Sequence, residues 1–234
     1  MPTVVFASSK GGVGKTTSAM SFAFVLANQG ISTTIIDADP NGPILKWAAR
    51  FPAGVPEKLT VKNGVGAEAV AEAIQEATDP FIIVDLEGAK NIEVSVGLGR
   101  ADLALIPMKG SQLDADEAVN VIKFIRRQEL IFGRKIPYRV FFSMTSPVIE
   151  SKGMRDIVSQ FREQGIPMLK ASMVERAAFQ LPFKLGGSLY DLRAGEVRKP
   201  EAAIENAEVF AEEVVATVVA EHKNAAKVKE AANG

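Results

Sequence analysis

The stretch Lys10-Gly11-Gly12-Val13-Gly14-Lys15-Thr16-Thr17 decides the fold class of this chain. Read from Ser9, it satisfies the pattern G-x-x-x-x-G-K-[ST] except at the first position, where serine replaces glycine. Glycines let the backbone curl so that successive amides converge on phosphate oxygens, and the start of a helix adds partial positive charge there. In such a loop the lysine, here Lys15, neutralises phosphate charge, and the next hydroxyl, on Thr16, binds Mg²⁺. The motif therefore predicts a loop that takes a nucleotide and a magnesium ion.

The elements around this loop predict an α/β fold. Residues 4–7 form a short apolar run that indicates a buried strand, and the helix that begins at Lys15 is expected to end near Gln29, just before Gly30. Apolar runs then alternate with helical patterns, which is typical of a parallel sheet covered on both faces. The predicted strands are 4–7, 33–36, 81–84, 103–106, 139–142 and 168–171, and the further helices are 66–78, 113–130, 151–164 and 201–222. The expected fold class is an α/β P-loop NTPase, with a mostly parallel twisted sheet and helices on both faces.

The composition excludes several classes of function. The chain has 234 residues, and its 27 basic side chains nearly cancel its 28 acidic ones, so attraction to nucleic acid or anionic lipid requires a local patch. The absence of cysteine excludes disulfide scaffolds, cysteine nucleophiles and iron–sulfur ligation. The uncharged run 16–36 is too rich in Ser, Thr, Asn and Gln for a lipid-facing helix, and the start of the chain lacks a positively charged leader. A cytoplasmic protein is expected.

One domain is expected. The sequence contains no internal repeat and no linker long enough to separate two domains, so residues 1–222 are expected to form one P-loop domain. The end of the chain, residues 223–234, is rich in Ala and Lys and is expected to fray.

Lys10 and the two glycines that follow it resemble the deviant Walker A motif of the ParA/MinD family of P-loop ATPases. The stretch Ile35-Ile36-Asp37-Ala38-Asp39-Pro40 resembles the D-x-D-P segment of that family, with Asn41 in place of the usual Gln. The resemblance covers nearly all of residues 3–220 and is most specific at 10–17. It implies that ATP and Mg²⁺ are the cofactors. It also implies that ATP binding is coupled to formation of a homodimer, because Lys10 would reach the partner's nucleotide.

The same resemblance implies roles for single residues. The catalytic residues would be Lys10, Lys15 and Asp39, with Asp39 positioning or activating the attacking water. The metal site would include Thr16, Asp37 and Asp85, with Asp37 supporting the metal shell and Asp85 binding a coordinated water. The residues that bind ATP through its phosphates would be those of the loop, namely Lys10, Gly11, Gly12, Val13, Gly14, Lys15, Thr16 and Thr17.

Two further segments are expected near the adenine base. Met144-Thr145 follows the predicted strand 139–142. Glu175-Arg176-Ala177-Ala178-Phe179 resembles a segment of small ParA proteins, including those of plasmid partition and of bacterial T-DNA conjugation. By that resemblance Met144, Thr145 and Glu175 would lie at the base.

The helix 113–130 carries a cap signal and a basic patch. Ser111 is expected to cap this helix, with Asp114 three residues on. Lys123, Arg126 and Arg127 have the spacing i, i+3 and i+4, which places them on one helix face. A dimer would present this face twice and could bind DNA phosphates without reading sequence. A simple solvated helix face is the alternative that the sequence leaves open.

The sequence therefore predicts a cytoplasmic, nucleoid-associated ATPase that dimerises on ATP, binds DNA non-specifically and partitions or positions a plasmid, a chromosome region or a protein cargo. The resemblance implies slow hydrolysis, stimulated by a ParB-like or centromere-binding adaptor. No membrane is expected among the partners. The alternatives are a MinD-like membrane-associated positioning ATPase, a small-molecule amide ligase on the same fold, and a scaffold that binds ATP without turnover. The acidic charges of the helix 201–222 disfavour the first, because they repel anionic lipid.

Overall fold

A seven-stranded sheet forms the centre of the described part of the chain. The structure is a computed structural model that describes residues 1–88, 92–146, 152–193 and 195–233, with the backbone alone from residue 228 onward. The strands are β1 (Thr3–Phe6), β2 (Thr33–Ala38), β3 (Leu59–Asn63), β4 (Phe81–Leu86), β5 (Leu103–Met108), β6 (Tyr138–Thr145) and β7 (Met173–Val174). All the strand pairs are parallel, and the strand order is β3-β2-β4-β1-β5-β6-β7.

Helices cover both faces of this sheet, which confirms the predicted α/β P-loop fold class. The described helices are α1 (Lys15–Asn28), α2 (Pro43–Arg50), α3 (Ala67–Glu76), α4 (Ile92–Arg100), α5 (Gln112–Phe132), α6 (Lys152–Glu163), α7 (Leu181–Leu185) and α8 (Pro200–Asn233). One apolar core lies between the sheet and α1, α2 and α8, and a second lies between the sheet and α3, α4, α5 and α6. In β1, Phe6 belongs to the first core and Val5 to the second, so the central strands are buried on both faces. This double burial explains their continuous apolar runs.

The sequence pattern does not predict β3, α2, α4 or α7. β3 is an edge strand with partly exposed side chains, so it lacks an apolar run. α4 contains two glycines, which lower its helix propensity. Both glycines pack closely against neighbouring side chains, because a Cβ on Gly97 would lie 3.0 Å from the Leu86 side chain and one on Gly99 would lie 2.6 Å from Phe132.

The strand predicted at 168–171 is wrong in position. Met168 contributes an isolated bridge to Val140, and the strand at this edge of the sheet is β7. The amides of Lys170 and Ala171 donate to the Glu213 carboxylate at 2.8 and 2.6 Å. A side chain of α8 therefore takes the hydrogen bonds that a continued strand would use.

α8 is longer than the sequence analysis predicts. The helical pattern predicts an end near 222, whereas the structure continues the helix to Asn233. The added segment contains no glycine or proline and is rich in good helix formers, which explains the extension. The buried side chains of α8 include Phe210, Val214 and Val218, so the helix packs on the domain as expected. Over the described ranges, no helix combines the length and the apolar character needed to cross a membrane.

Candidate functional site

The carboxyl ends of the parallel strands bring the predicted loop residues to one edge of the sheet. Residues 10–17, between β1 and the first turn of α1, line a cavity of about 210 Å³. Gly12 and Gly14 have φ angles of 72° and 78°, a left-handed conformation that favours glycine. Asp39, after β2, and Gly88, after β4, complete the wall. A cavity at the N-terminus of a helix is suited to an anion such as a phosphate group.

Asp85 holds the two polar side chains at the start of α1. Lys15 Nζ donates to Asp85 Oδ1 at 2.7 Å, and Thr16 Oγ1 donates to Asp85 Oδ2 at 2.6 Å. Lys15 is 8% exposed and Asp85 is fully buried, so each charge needs the other. The Thr16 hydroxyl and the Asp85 carboxylate are adjacent hard oxygen donors, a set that fits Mg²⁺.

Asp37 serves the backbone in this structure. Its Oδ2 accepts hydrogen bonds from the amides of Ile44 and Leu45 at 2.8 and 3.0 Å, and its Oδ1 accepts one from the Asp39 amide at 3.2 Å. The bonds from Ile44 and Leu45 satisfy amides in the first turn of α2. The N-cap of this helix, Gly42, has no side chain that could do so. Burial raises the pKa of Asp37 above its usual value, and the charge of Asp85 adds to the rise, against the lowering effect of the amides. Sequence reasoning assigned Asp37 to the metal shell and did not find this contact.

Asp39 lies on the wall of the cavity, where the predicted water-activating group would have to be. Its Oδ1 accepts hydrogen bonds from the Asn41 amide at 2.8 Å and from Asn41 Nδ2 at 3.0 Å. Asn41 replaces the Gln that the family resemblance would lead one to expect. In this chain that residue orients the Asp39 carboxylate.

The start of α5 contacts the first two residues of the phosphate loop. Lys10 Nζ donates to Asp114 Oδ1 at 3.0 Å, and Ser9 Oγ donates to Glu117 Oε2 at 2.6 Å. Ser111 caps the helix as predicted, accepting a hydrogen bond from the Asp114 amide at 3.2 Å. Burial works to raise the pKa of Asp114, but hydrogen bonds from Ser111 and Lys10 and the charge of Lys10 outweigh it and hold that pKa below its usual value.

A second cavity, of about 280 Å³, continues from the phosphate loop toward β7. It shares Gly14 and Thr17 with the first cavity and is also lined by Met144 and Glu175, two of the residues predicted to lie at the base. Thr145 is not among the lining residues, and its carbonyl accepts the Glu175 amide at 2.8 Å. The side chains that complete the lining, which sequence reasoning did not assign, include Ser18, Met173, Phe179 and Gln180.

Ser143, at the end of β6, anchors the phosphate loop from this side. Its hydroxyl donates to the Val13 carbonyl at 2.5 Å, and the residue is 1% exposed. Because a trans peptide points its C=O and N–H in opposite directions, this bond turns the Gly14 amide away from Ser143. The next residue, Met144, has a φ of 53°, which is uncommon outside glycine, and its side chain packs against Gly14.

The three basic residues proposed to contact DNA share an exposed face of α5. Lys123, Arg126 and Arg127 are all exposed, as their spacing predicts. They follow the turn of α5 that holds Ser9 and Lys10. One helix therefore connects the phosphate loop to a basic surface.

Known proteins resemble this chain in sequence and in fold. A family model described as VirC1 protein matches residues 1–220. Protein ParA of Rhizobium radiobacter is 38% identical over 214 residues, which cover 90% of this chain and 95% of that protein. Among solved structures, the McdA(D38A)–ATP complex of Cyanothece has a TM-score of 0.64 at 19% identity, covering 88% of this chain and 96% of that one. The MinD cell division protein of Aquifex aeolicus has a TM-score of 0.65 at 20% identity, covering 90% and 97%. At these identities the two structures establish the fold.

Proposed function

The chain belongs to the VirC1 family, within the ParA/MinD group of P-loop ATPases, and from this premise we propose that it hydrolyses ATP with Mg²⁺, dimerises when ATP is bound and positions a cargo on DNA. The cargo would be a plasmid, a chromosome region or a protein cluster. A ParB-like or centromere-binding adaptor would stimulate a slow basal hydrolysis. The working location would be the cytoplasm, on the nucleoid.

The observation that carries this proposal is the pair of adjacent cavities at the edge of the sheet. One is bounded by residues 10–17 and the other by Met144 and Glu175, and they meet at Gly14 and Thr17. A nucleotide has the same two parts, an anionic phosphate chain and a flat apolar base. The helix N-terminus favours the first part, and the side chains of Met144 and Phe179 offer an apolar surface for the second.

The reaction would depend on electrostatic stabilisation. Lys15 and the loop amides would neutralise the charge that develops on the phosphates, and Thr16 and Asp85 would hold the metal ion. The metal ion that Thr16 and Asp85 would hold would supply positive charge to stabilise the phosphate groups. Asp39, oriented by Asn41, would position the attacking water. Lys10 would act on the nucleotide of the partner copy.

The basic face of α5 supports the DNA component of the proposal. Lys123, Arg126 and Arg127 are exposed in the monomer, and a dimer would place two such faces on one particle. Doubling the number of phosphate contacts steepens the dependence of binding on salt. DNA retention should therefore require ATP and fall sharply as salt rises.

The test is ATP-dependent retention of the protein on random-sequence duplex DNA across a salt titration. A variant with Lys123, Arg126 and Arg127 changed to Gln should lose most retention while still binding ATP. The matched control changes three other exposed basic residues to Gln, namely Lys58, Arg162 and Lys170. An equal loss of DNA retention in both variants would show that only net charge matters, and would contradict the assignment of DNA binding to α5. Retention on anionic liposomes in place of DNA would favour the membrane-associated alternative. The structure disfavours that alternative, because the apolar side chains of α8 pack on the domain.

A further inference from the structure

Two carboxylates on α5 hold the entrance of the phosphate loop within the same copy of the chain. Asp114 and Glu117 are three residues apart and so share a helix face. Asp114 binds Lys10, and Glu117 binds Ser9, the residue that stands where the loop pattern has its first glycine. The Asp114–Lys10 contact joins residues 104 apart in sequence, and the Glu117–Ser9 contact joins residues 108 apart.

The two partners in the ion pair differ in their freedom to move. The Lys10 side chain is 53% exposed, whereas that of Asp114 is 6% exposed. Asp114 is further fixed by Ser111, whose hydroxyl donates to its Oδ2 at 2.5 Å. Asp114 is thus a rigid anionic anchor, and Lys10 is the mobile partner with a direct route to solvent.

From this asymmetry we infer that Asp114 is a positioning residue that holds the Lys10 side chain within its own copy of the chain. When the dimer forms, Lys10 must leave Asp114 and bind the nucleotide of the partner copy. The inference rests on the proposed function, in which Lys10 acts across the dimer. To that function the inference adds a contact within one copy, between Lys10 and Asp114, that competes with the contact between copies. Lys10 is held away from the partner until the partner's nucleotide offers a stronger anion.

The exchange is feasible because Asp114 keeps other compensation after Lys10 leaves. Ser111 still donates to its carboxylate, and the charge of Lys109 acts on the same group. The pair itself is partly solvated at the Lys10 end, so breaking it costs little compared with a fully buried ion pair. A polyanionic triphosphate presented by a second copy is therefore a sufficient competitor.

The test compares Asp114→Asn with Asp116→Asn. Asp116 lies on the same turn of α5, is exposed and accepts a hydrogen bond from Gln112, so its substitution removes the same charge near the helix start. Sedimentation velocity with Mg²⁺ and the non-hydrolysable analogue AMPPNP gives the dimer dissociation constant of each variant. Asp114→Asn should lower this constant by about threefold or more, and Asp116→Asn should leave it at the wild-type value. An unchanged or weaker Asp114→Asn dimer overturns the inference.

A second measurement does not depend on dimerisation. Acylation of Lys10 by an amine-reactive reagent, followed by mass spectrometry in the absence of nucleotide, should speed up several-fold in Asp114→Asn and remain at the wild-type rate in Asp116→Asn. Faster acylation without tighter dimers would overturn the exchange and leave only a structural contact. A wild-type protein that stays monomeric with AMPPNP would overturn the proposed function itself, and the labelling rates would still report whether Asp114 holds Lys10. Matching thermal unfolding midpoints establish that both variants fold.

Discussion

At the scale of single residues, the phosphate loop depends on side chains far from it in sequence. Ser143 binds the Val13 carbonyl across 130 residues of sequence, and Asp85 binds Lys15 across 70. The loop motif predicts a curled backbone at 10–17 from its glycines, but the contacts that fix its peptides come from other strands. Their effect is measurable one residue at a time.

Ser143→Ala should weaken ATP binding. The substitution removes the hydroxyl that anchors the Val13 carbonyl, and so releases the peptide whose amide belongs to Gly14. Loss of a buried hydrogen bond costs about 1–2 kcal/mol, which corresponds to an affinity about 5- to 30-fold lower. Isothermal titration calorimetry with ATP and Mg²⁺ measures this change. The control is Ser95→Ala, which removes a hydroxyl of α4 that donates to Gln128 of α5. An equal loss of ATP affinity in this variant would show that the Ser143 contact has no special role.

Asp39→Ala should separate binding from turnover. Asp39 lines the phosphate cavity and its orientation is set by Asn41, so its loss should leave ATP bound and remove the group that positions water. The expected fall in steady-state phosphate release is at least about 100-fold, with ATP-bound dimers that persist. Unchanged turnover would exclude Asp39 as the catalytic carboxylate and reopen the interpretation as an ATP-binding scaffold.

At the scale of elements, α5 is the helix that connects the parts of the candidate site. Its first turns hold Ser9 and Lys10, and its later turns expose Lys123, Arg126 and Arg127. The same helix therefore contacts the start of the phosphate loop and carries the basic face.

α8 should contribute strongly to stability. Phe210 is fully buried and its ring centre lies 4.9 Å from that of Phe141 in β6. Phe210→Ala should lower the free energy of unfolding by about 3–5 kcal/mol, because it removes a large apolar side chain and leaves a cavity. Denaturant unfolding measures the change, with the adjacent Val209→Ala as control, since Val209 is 52% exposed. Equal destabilisation by the two would show that α8 is not packed as described.

The elements also show why sequence reasoning succeeded for some parts of the fold and failed for others. Both faces are buried in five strands, namely β1, β2, β4, β5 and β6, so each contains a run of apolar residues that predicts it. β3 lies at an edge, and in α4 Gly97 and Gly99 pack closely against neighbouring side chains but lower the helix propensity, so local composition does not predict either element. In the candidate site, local sequence motifs predict the phosphate loop and the aspartates near it. The contacts of Ser143 and Asp114 depend on tertiary structure, and no spacing rule predicts them.

At the scale of the whole molecule, the proposed function requires a second copy of the chain to complete the site. Residues 10–17 line the phosphate cavity of one copy, and Lys10 is the loop side chain most able to leave it, since it is paired with Asp114 at a partly solvated position. ATP would then be both ligand and contact between copies. DNA binding through α5 and control by an adaptor would follow from that dimer.

The most direct measurement of this central claim is the mass of the protein in solution with and without ATP and Mg²⁺, for the wild type and for Lys10→Ala and Lys15→Ala. The wild type should change from monomer to dimer on adding ATP. Lys10→Ala should bind ATP and remain monomeric, because it lacks only the group that crosses to the partner, whereas Lys15→Ala should lose ATP binding itself. A wild type that stays monomeric at saturating ATP, or a Lys10→Ala variant that dimerises as readily as the wild type, would contradict the account.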